Sequence, residues 1–235
     1  MKALSLIGYK KSGKTTLGIA LCKELTARGL KVAIAKCSES GFDEAEGADT
    51  ARYKTVANGV IGFSEKECFV SWPEQRTMQQ MLPLVDADVL LVEGGKTMGF
   101  LPRVILAGEG DDLDGLGVEL ALATYGTAKL AGKPTLSSVS EVADLLLEKG
   151  FLLPGLSCGA CGRKGCRRLA MEIVAGEATL EECPTLNAGM LITINGAEVA
   201  VNPFVERILT SGLRGMLGEL KGYVPGGKIR IELEG

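Results

Sequence analysis

An α/β fold with a mostly parallel sheet, followed by a small cysteine module and a C-terminal β-β-α-β unit, is what this 235-residue sequence predicts. Three observations carry the prediction. Short apolar runs alternate with helical spacings over residues 1–150, the run Val89 to Val92 is apolar throughout, and four cysteines gather between 158 and 183. Alternating strands and helices imply parallel strands joined by crossovers, and a strand with no polar side implies burial on both faces. The expected units are 1–150, 151–185 and 186–235.

Residues 3–8 (ALSLIG) read as the first strand, and LGIALCKEL before Gly29 as the first helix. Val32 to Ala35 is the second strand, Asp49 to Ala57 a helix, and Val60 to Phe63 and Cys68 to Ser71 are strands. Glu74 to Leu84 reads as a helix, Val89 to Val92 as the central strand and Val104 to Leu106 as the next. After the acidic, glycine-rich stretch 108–117 the sequence suggests a helix, then a GKPTL segment and a last helix, Val139 to Lys149, stopped by Gly150. Arg167 to Glu177 has helical spacing. Beyond Pro184, LITINGAEVAV carries Asn195-Gly196, a strong hairpin signal, and Asn202-Pro203 opens a helix whose Gly212, Gly215 and Gly218 threaten to break it. The alternating KIRIELE at 228–234 predicts a closing strand.

Composition narrows the chemistry. Hydrophobic residues make up 46% of the chain, yet no apolar run is long enough to cross a bilayer, so no membrane partner is expected. A net charge of −3 gives no broad field for nucleic acid. Arg163, Lys164, Arg167 and Arg168 form one local basic cluster, which suits a partner surface or an anionic ligand, or is simply a solvated face. The absence of histidine removes serine-histidine triads, HExxH metalloproteases and Cys2His2 fingers. The N-terminus lacks a signal-peptide pattern, so a cytoplasmic location is expected, where seven cysteines serve metal or redox chemistry rather than disulfides.

Gly8 to Thr15 (GYKKSGKT) fits GxxxxGK[ST] between a predicted strand and a predicted helix, the context of a P-loop NTPase. In such a loop the backbone around Gly8, Lys11, Ser12 and Gly13 closes on phosphate oxygens, with Thr16 continuing into the helix. Lys14 reaches the β- and γ-phosphates, and Thr15 can hold Mg²⁺. The acid expected beside that magnesium is Glu93, at the end of DVLLVEGGK. Asp49 in GADT is the best candidate for a water-orienting acid; Asp43, Glu44 and Glu46 read equally well as solvated.

GYKKSGKTTL, AKCSESGFDEAEGADTARYKTVANGVIG and DVLLVEGGKTMGFLPRVIL together resemble the MobB family, P-loop accessory proteins of molybdopterin-guanine dinucleotide biosynthesis, over about residues 1–150. The resemblance implies functional positions at Lys36, Asp49, Thr50, Glu93, Gly94 and Lys96, together with GTP binding, slow hydrolysis, Mg²⁺ and a homodimer. The chain departs from many members in placing Cys37 where they carry histidines, and it has no NKxD motif to separate GTP from ATP.

Cys158, Cys161 and Cys166 lie on one tight loop, and Cys183 follows a predicted helix that can return it to them. Four thiolates without histidine suit an iron–sulfur cluster or zinc, and free structural thiols are the remaining alternative. The string CGACGRKGCRRLAMEIVAGEATLEECP resembles the four-cysteine [4Fe-4S] domain of the corrinoid iron–sulfur protein large subunit and of electron-transfer proteins, which implies a [4Fe-4S] cluster on these thiolates. Cys22 and Cys68 read as core residues, and Cys37 is an open question. The leading expectation is a nucleotide-hydrolysing iron–sulfur accessory protein acting on molybdenum or tungsten pterin cofactors, with molybdopterin or a metalloenzyme as client. The alternatives are a nucleotide-gated reductive activator of a metalloenzyme or corrinoid partner, and a scaffold with a structural cluster.

Overall fold

The computed structural model describes residues 1–38, 41–42, 49–187, 189–194 and 197–233. In chain order the elements are β1 (Lys2–Gly8), α1 (Lys14–Ala27), β2 (Val32–Lys36), α2 (Asp49–Lys54), β3 (Val60–Phe63), β4 (Cys68–Ser71), α3 (Met78–Met81) and β5 (Val89–Glu93). There follow β6 (Arg103–Ala107), β7 (Ala121–Gly126), β8 (Thr135–Leu136), α4 (Val139–Lys149), α5 (Cys166–Ala175), β9 (Thr193–Ile194), β10 (Ala197–Glu198) and α6 (Pro203–Gly218). Six strands form one sheet in the order β2-β5-β1-β6-β7-β8, every neighbouring pair parallel.

Burial explains the sheet. Leu4, Leu6, Leu91, Val104 and Leu106 meet Leu17, Leu21 and Leu25 of α1 and Val142, Ala143 and Leu146 of α4 on one face. On the other, Ala3, Leu90 and Val92 meet Leu101, with Met78, Leu82 and Phe100 packed alongside. Each fully buried leucine contributes about 1.5–3 kcal/mol, so the two faces fix the register without help from the loops. α4 starts with a capping box between Ser138 and Glu141 and ends at Gly150, as its sequence predicts.

The segment after α4 stays on the sheet. Phe151 N–H donates to Ala3 O (3.1 Å) and Leu153 N–H to Phe100 O (2.9 Å). Phe151, Leu153 and Leu120 then pack against Leu169 and Ala170 of α5, with Cys183 in the same cluster. The cysteine module is therefore joined to the sheet through a shared apolar core.

Four expectations are corrected. The helix expected after residue 117 is a short 3-10 turn followed by strand β7, whose Ala121, Leu122, Ala123 and Thr124 are all buried. Leu-Ala-Leu-Ala favours a helix in isolation, but a slot between β6 and β8 overrides that preference. The closing strand does not form: residues 228–233 are irregular, because β9 and β10 are only two residues each and offer no apolar sheet to extend. The hairpin residues Asn195 and Gly196 lie outside the described residues, although β9 and β10 do pair antiparallel. β3 and β4 form their own antiparallel ribbon outside the parallel sheet, leaving Cys68 exposed rather than in the core. The helix expected from Glu74 shortens to α3 and a 3-10 turn at Leu82–Leu84. By contrast α6 runs unbroken through Gly212 and Gly215, capped by Asn202.

Candidate functional site

The phosphate loop leaves the C-terminal end of β1, at the centre of the sheet, and enters α1 at Gly13, which has no side chain to cap the helix. That leaves the first N–H groups of α1 directed at whatever sits in the loop. Gly8 pairs with Leu106 across the sheet, and a Cβ on it would lie 2.4 Å from Leu106 O and 2.5 Å from Ser12 Oγ. Only glycine fits that approach.

Lys14 curls into the loop, its ammonium donating to Tyr9 O (2.6 Å), Gly8 O (3.1 Å) and Ser12 Oγ (3.4 Å). Burial lowers its pKa, with Lys96 and Lys36 adding to the effect and Glu93 opposing it. Three lysines facing one carboxylate make the mouth of the loop electropositive, the field an anionic phosphate needs.

Glu93 ends β5, next to Leu6 of β1 and Lys36 of β2 in the register. Its Oε1 accepts from Thr15 Oγ1 at 2.8 Å and from Lys36 Nζ at 3.3 Å. One hydroxyl and one carboxylate oxygen in contact are the oxygen donors Mg²⁺ takes beside a nucleotide. The chain turns sharply after Glu93: Gly94 has φ 85°, and a Cβ there would lie 3.0 Å from Cys37 O. Cys37 thus packs beneath the turn, and burial raises its thiol pKa. Lys96 completes the group with its ammonium 5.0 Å above the Tyr9 ring.

Not every expected residue joins this group. Asp49 is exposed at the start of α2 and pairs with Arg52 at 3.7 Å. Thr50 follows it on the same helix, while Asp43, Glu44 and Glu46 lie outside the described residues. Sequence reasoning missed an open cleft of about 590 Å³ beside the loop, bounded by Tyr9 to Ser12, Ala107, Gly108, Asp111 and Tyr125 to Thr127. Its wall is held by Gly108 N–H donating to Asp111 Oδ2 (2.7 Å) and Glu109 N–H to Thr127 Oγ1 (2.9 Å), while the Tyr9 hydroxyl donates to Asp112 O (2.7 Å). The size falls within the range of about 300–1,000 Å³ typical of small-molecule sites. Only the adjacency of β6 and β7 reveals it.

Cys158, Cys161, Cys166 and Cys183 line a second, much smaller hollow of about 10 Å³ with Pro154, Leu156, Leu169 and Pro184. Among the described residues no three acidic or thiol side chains converge closely enough to share a single metal ion. Four thiols that line one apolar hollow without converging on a single point are a donor set compatible with a multi-atom cluster, which spreads its ligands further apart than a tetrahedral zinc does. Ser157 N–H donates to Cys166 Sγ at 3.4 Å, the kind of outer contact that tunes a thiolate ligand. Burial raises the Cys183 thiol, nearby Cys166 and Cys161 add to this, and backbone N–H groups of Leu186 and Thr185 counter it.

Three arginines of the basic cluster beside these cysteines pair with glutamates of the chain itself. Arg163 pairs with Glu172 (2.5 Å) and Glu182 (2.6 Å), Arg168 with Glu172 (2.7 Å), and Arg167 with Glu119. Arg163 also donates to Cys161 O at 3.2 Å, so it clamps the cysteine loop directly.

Sheet order, loop and Glu93 define the class: this is an α/β P-loop NTPase fold. Residues 3–109 match the family model for molybdopterin guanine dinucleotide synthesis protein B, and residues 153–185 match the model described as "Putative Fe-S cluster". The chain is therefore similar to MobB over residues 3–109 and to Fe–S cluster modules over residues 153–185. It is 25% identical to the "Putative molybdopterin-guanine dinucleotide biosynthesis adapter protein" of Methanocaldococcus jannaschii, across 100% of this chain and 98% of that one. Over 32 residues, 14% of this chain and 10% of the relative, it is 53% identical to one of the subunits of the Na⁺-translocating ferredoxin:NAD⁺ oxidoreductase complex of Acetobacterium woodii. The crystal structure of Bacillus subtilis MobB shares the fold with a TM-score of 0.54 at 18% identity, covering 64% of this chain and 99% of that one.

Proposed function

We propose that this chain is a GTP- or ATP-binding and slowly hydrolysing iron–sulfur adapter in the biosynthesis or delivery of a molybdenum or tungsten pterin cofactor. The observation that carries the nucleotide half is the contact of Thr15 and Glu93 beneath a lysine-rich phosphate loop. The pathway assignment is supported by the full-length likeness to the M. jannaschii adapter. Residues 8–16 would hold the phosphates, and the cleft at Asp111 and Thr127 has room for the base. Lys14 exchanges its carbonyl partners for phosphate oxygens, while Lys36 and Lys96 offset the remaining charge. Thr15 and Glu93 would hold Mg²⁺, which would supply charge neutralisation at the phosphates.

The four cysteines are assigned to a [4Fe-4S] cluster, which supplies one-electron storage when present. The exposed apolar side chains of the β3–β4 ribbon, Ile61 and Phe63 among them, support a homodimer. A reducing cytoplasm is the compartment in which thiolates of this kind persist. A second reading, in which nucleotide turnover gates electron delivery to a metalloenzyme or corrinoid partner, is favoured by the likeness of the cysteine module to part of a redox complex.

The test is calorimetric binding of GTP and ATP with and without Mg²⁺, followed by turnover. Lys14→Ala removes charge-assisted hydrogen bonds of about 1.5–3 kcal/mol, a loss of about 10- to 150-fold in affinity. Binding that is indifferent to Mg²⁺ and to Lys14→Ala sinks the nucleotide assignment.

A further inference from the structure

Between the phosphate loop and the cysteine loop runs an unbroken line of contacts centred on two arginines. Arg103, at the start of β6, is fully buried. Its Nη2 donates to Met98 O (2.8 Å), and its Nη1 to Leu116 O (2.7 Å) and Lys96 O (3.5 Å). One guanidinium therefore ties down the backbone of the turn that follows Glu93, in the segment whose Lys96 side chain lies over Tyr9 of the phosphate loop. The Nε of Arg103 is buried without a hydrogen-bond partner among the described residues, so the group is held by the turn and by Leu116 alone.

Arg167 meets the same turn from the other side. A Cβ on Gly99 would lie 2.7 Å from Arg167 Cβ and 2.9 Å from its Cγ, so the arginine stem rests directly on the chain. At Gly117 a Cβ would lie 2.3 Å from Arg103 Nη1 and 3.4 Å from Arg167 Nη2, which places both guanidinium groups over one residue. Arg167 closes the line through its ion pair with Glu119. It also immediately follows Cys166, the first residue of α5. The line thus runs from Thr15 through Glu93, the 94–99 turn, Arg103 and Arg167 to a cluster ligand.

We propose that Arg103 and Arg167 are positioning residues that couple the two sites, so that Mg²⁺-nucleotide on the phosphate loop resets the loop of Cys158 to Cys166, and the loaded cysteine site alters nucleotide affinity. The coupling rests on the nucleotide and cluster assignments proposed above. Engagement of Glu93 by Mg²⁺-nucleotide moves the 94–99 turn, and packed side chains pass the displacement to α5 because they have discrete arrangements rather than continuous give. Linkage makes the effect reciprocal, with a typical size of about 5- to 150-fold in affinity.

The experiment uses the full chain, prepared anaerobically with its iron and then as a chelator-treated form. Nucleotide Kd is measured in both, and amide exchange at 156–166 is followed in the iron-loaded form with and without Mg²⁺-GTP or Mg²⁺-ATP. Expected are a Kd difference of at least about fivefold between the two forms and slowed exchange at 156–166 on nucleotide addition. Arg167→Ala and Glu119→Gln should each bring the Kd ratio to within about twofold and abolish the exchange response. Arg168→Ala, which removes the neighbouring pair with Glu172 but not the contact with Glu119, should keep both. Equal Kd values with unchanged exchange in the unaltered chain overturn the coupling, as does its survival in both Arg167→Ala and Glu119→Gln. Failure of both forms to bind nucleotide overturns the proposed function itself.

Discussion

Replacing Gly8 by alanine tests the phosphate loop at its tightest point. The added Cβ meets Leu106 O at 2.4 Å and Ser12 Oγ at 2.5 Å. The serine hydroxyl can rotate away, but Leu106 O belongs to β6, the strand paired with β1 at this residue. Ordinary contact begins near about 3.4 Å, so main chain must move by about 1 Å in the middle of a close-packed sheet. Overpacking of this kind costs about 1–3 kcal/mol. For a chain of this length that corresponds to a fall of about 2–12 °C in Tm by calorimetry. Nucleotide affinity should fall at least about tenfold as the loop opens, an additional 1.4 kcal/mol or so. At Gly13, in contrast, a Cβ meets nothing within 4 Å, and the φ of 88° alone sets the cost. Gly13→Asn, compatible with left-handed backbone, should therefore be milder than Gly8→Ala. An alanine at position 8 with unchanged Tm and unchanged nucleotide Kd would refute the close approach on which the loop geometry depends.

Other outcomes follow from the same structure. If the proposed [4Fe-4S] assignment holds, the unaltered chain should carry about four iron and four sulfide in anaerobic preparations and Cys183→Ala should lose most of both. Leu169→Ala, in the core shared by α5 and the sheet, should destabilise the chain by about 2–5 kcal/mol in denaturant unfolding. The Arg163 side chain holds the Glu172 and Glu182 carboxyls below their ordinary value of 4.5. Their contribution is full above that value and is lost as pH falls through the lowered folded values. Amide exchange at 158–166 should consequently accelerate only below pH 4.5, and Glu172→Gln should blunt that response. Deleting residues 189–235 should change the Tm of the remainder by less than about 2 °C, because α6 has no buried residue.

Much of this architecture is legible in the sequence because local pattern and burial agree. β5 is apolar at every position but its last, α4 carries its own capping box, and GYKKSGKT stands where the fold places it, between β1 and α1. Where they disagree, the sequence misleads. Ala121 to Ala123 has helical propensity and becomes a buried strand, since the neighbours that bury it are distant in the chain. KIRIELE alternates as a strand should, but alternation needs a partner edge, and β9 and β10 are too short to supply one. Glu93 is visible because it ends an apolar run, whereas the cleft walls at Asp111 and Thr127 lie on separate loops that meet only through the order β1-β6-β7. Arg103 carries no signal at all, since an arginine at a strand start normally reaches solvent.

The clamp of Arg163 on Glu172, Glu182 and the Cys161 carbonyl has a consequence for how the cysteine loop is assembled. These bonds join protein to protein across a helix and two turns, so part of the ordering entropy of the loop is met by the chain itself. Iron delivery to such a loop resembles filling a mould more than nucleating a fold. Its set-point is electrostatic: ionic strength and carboxylate protonation govern how open the mould stands when a cluster is handed over.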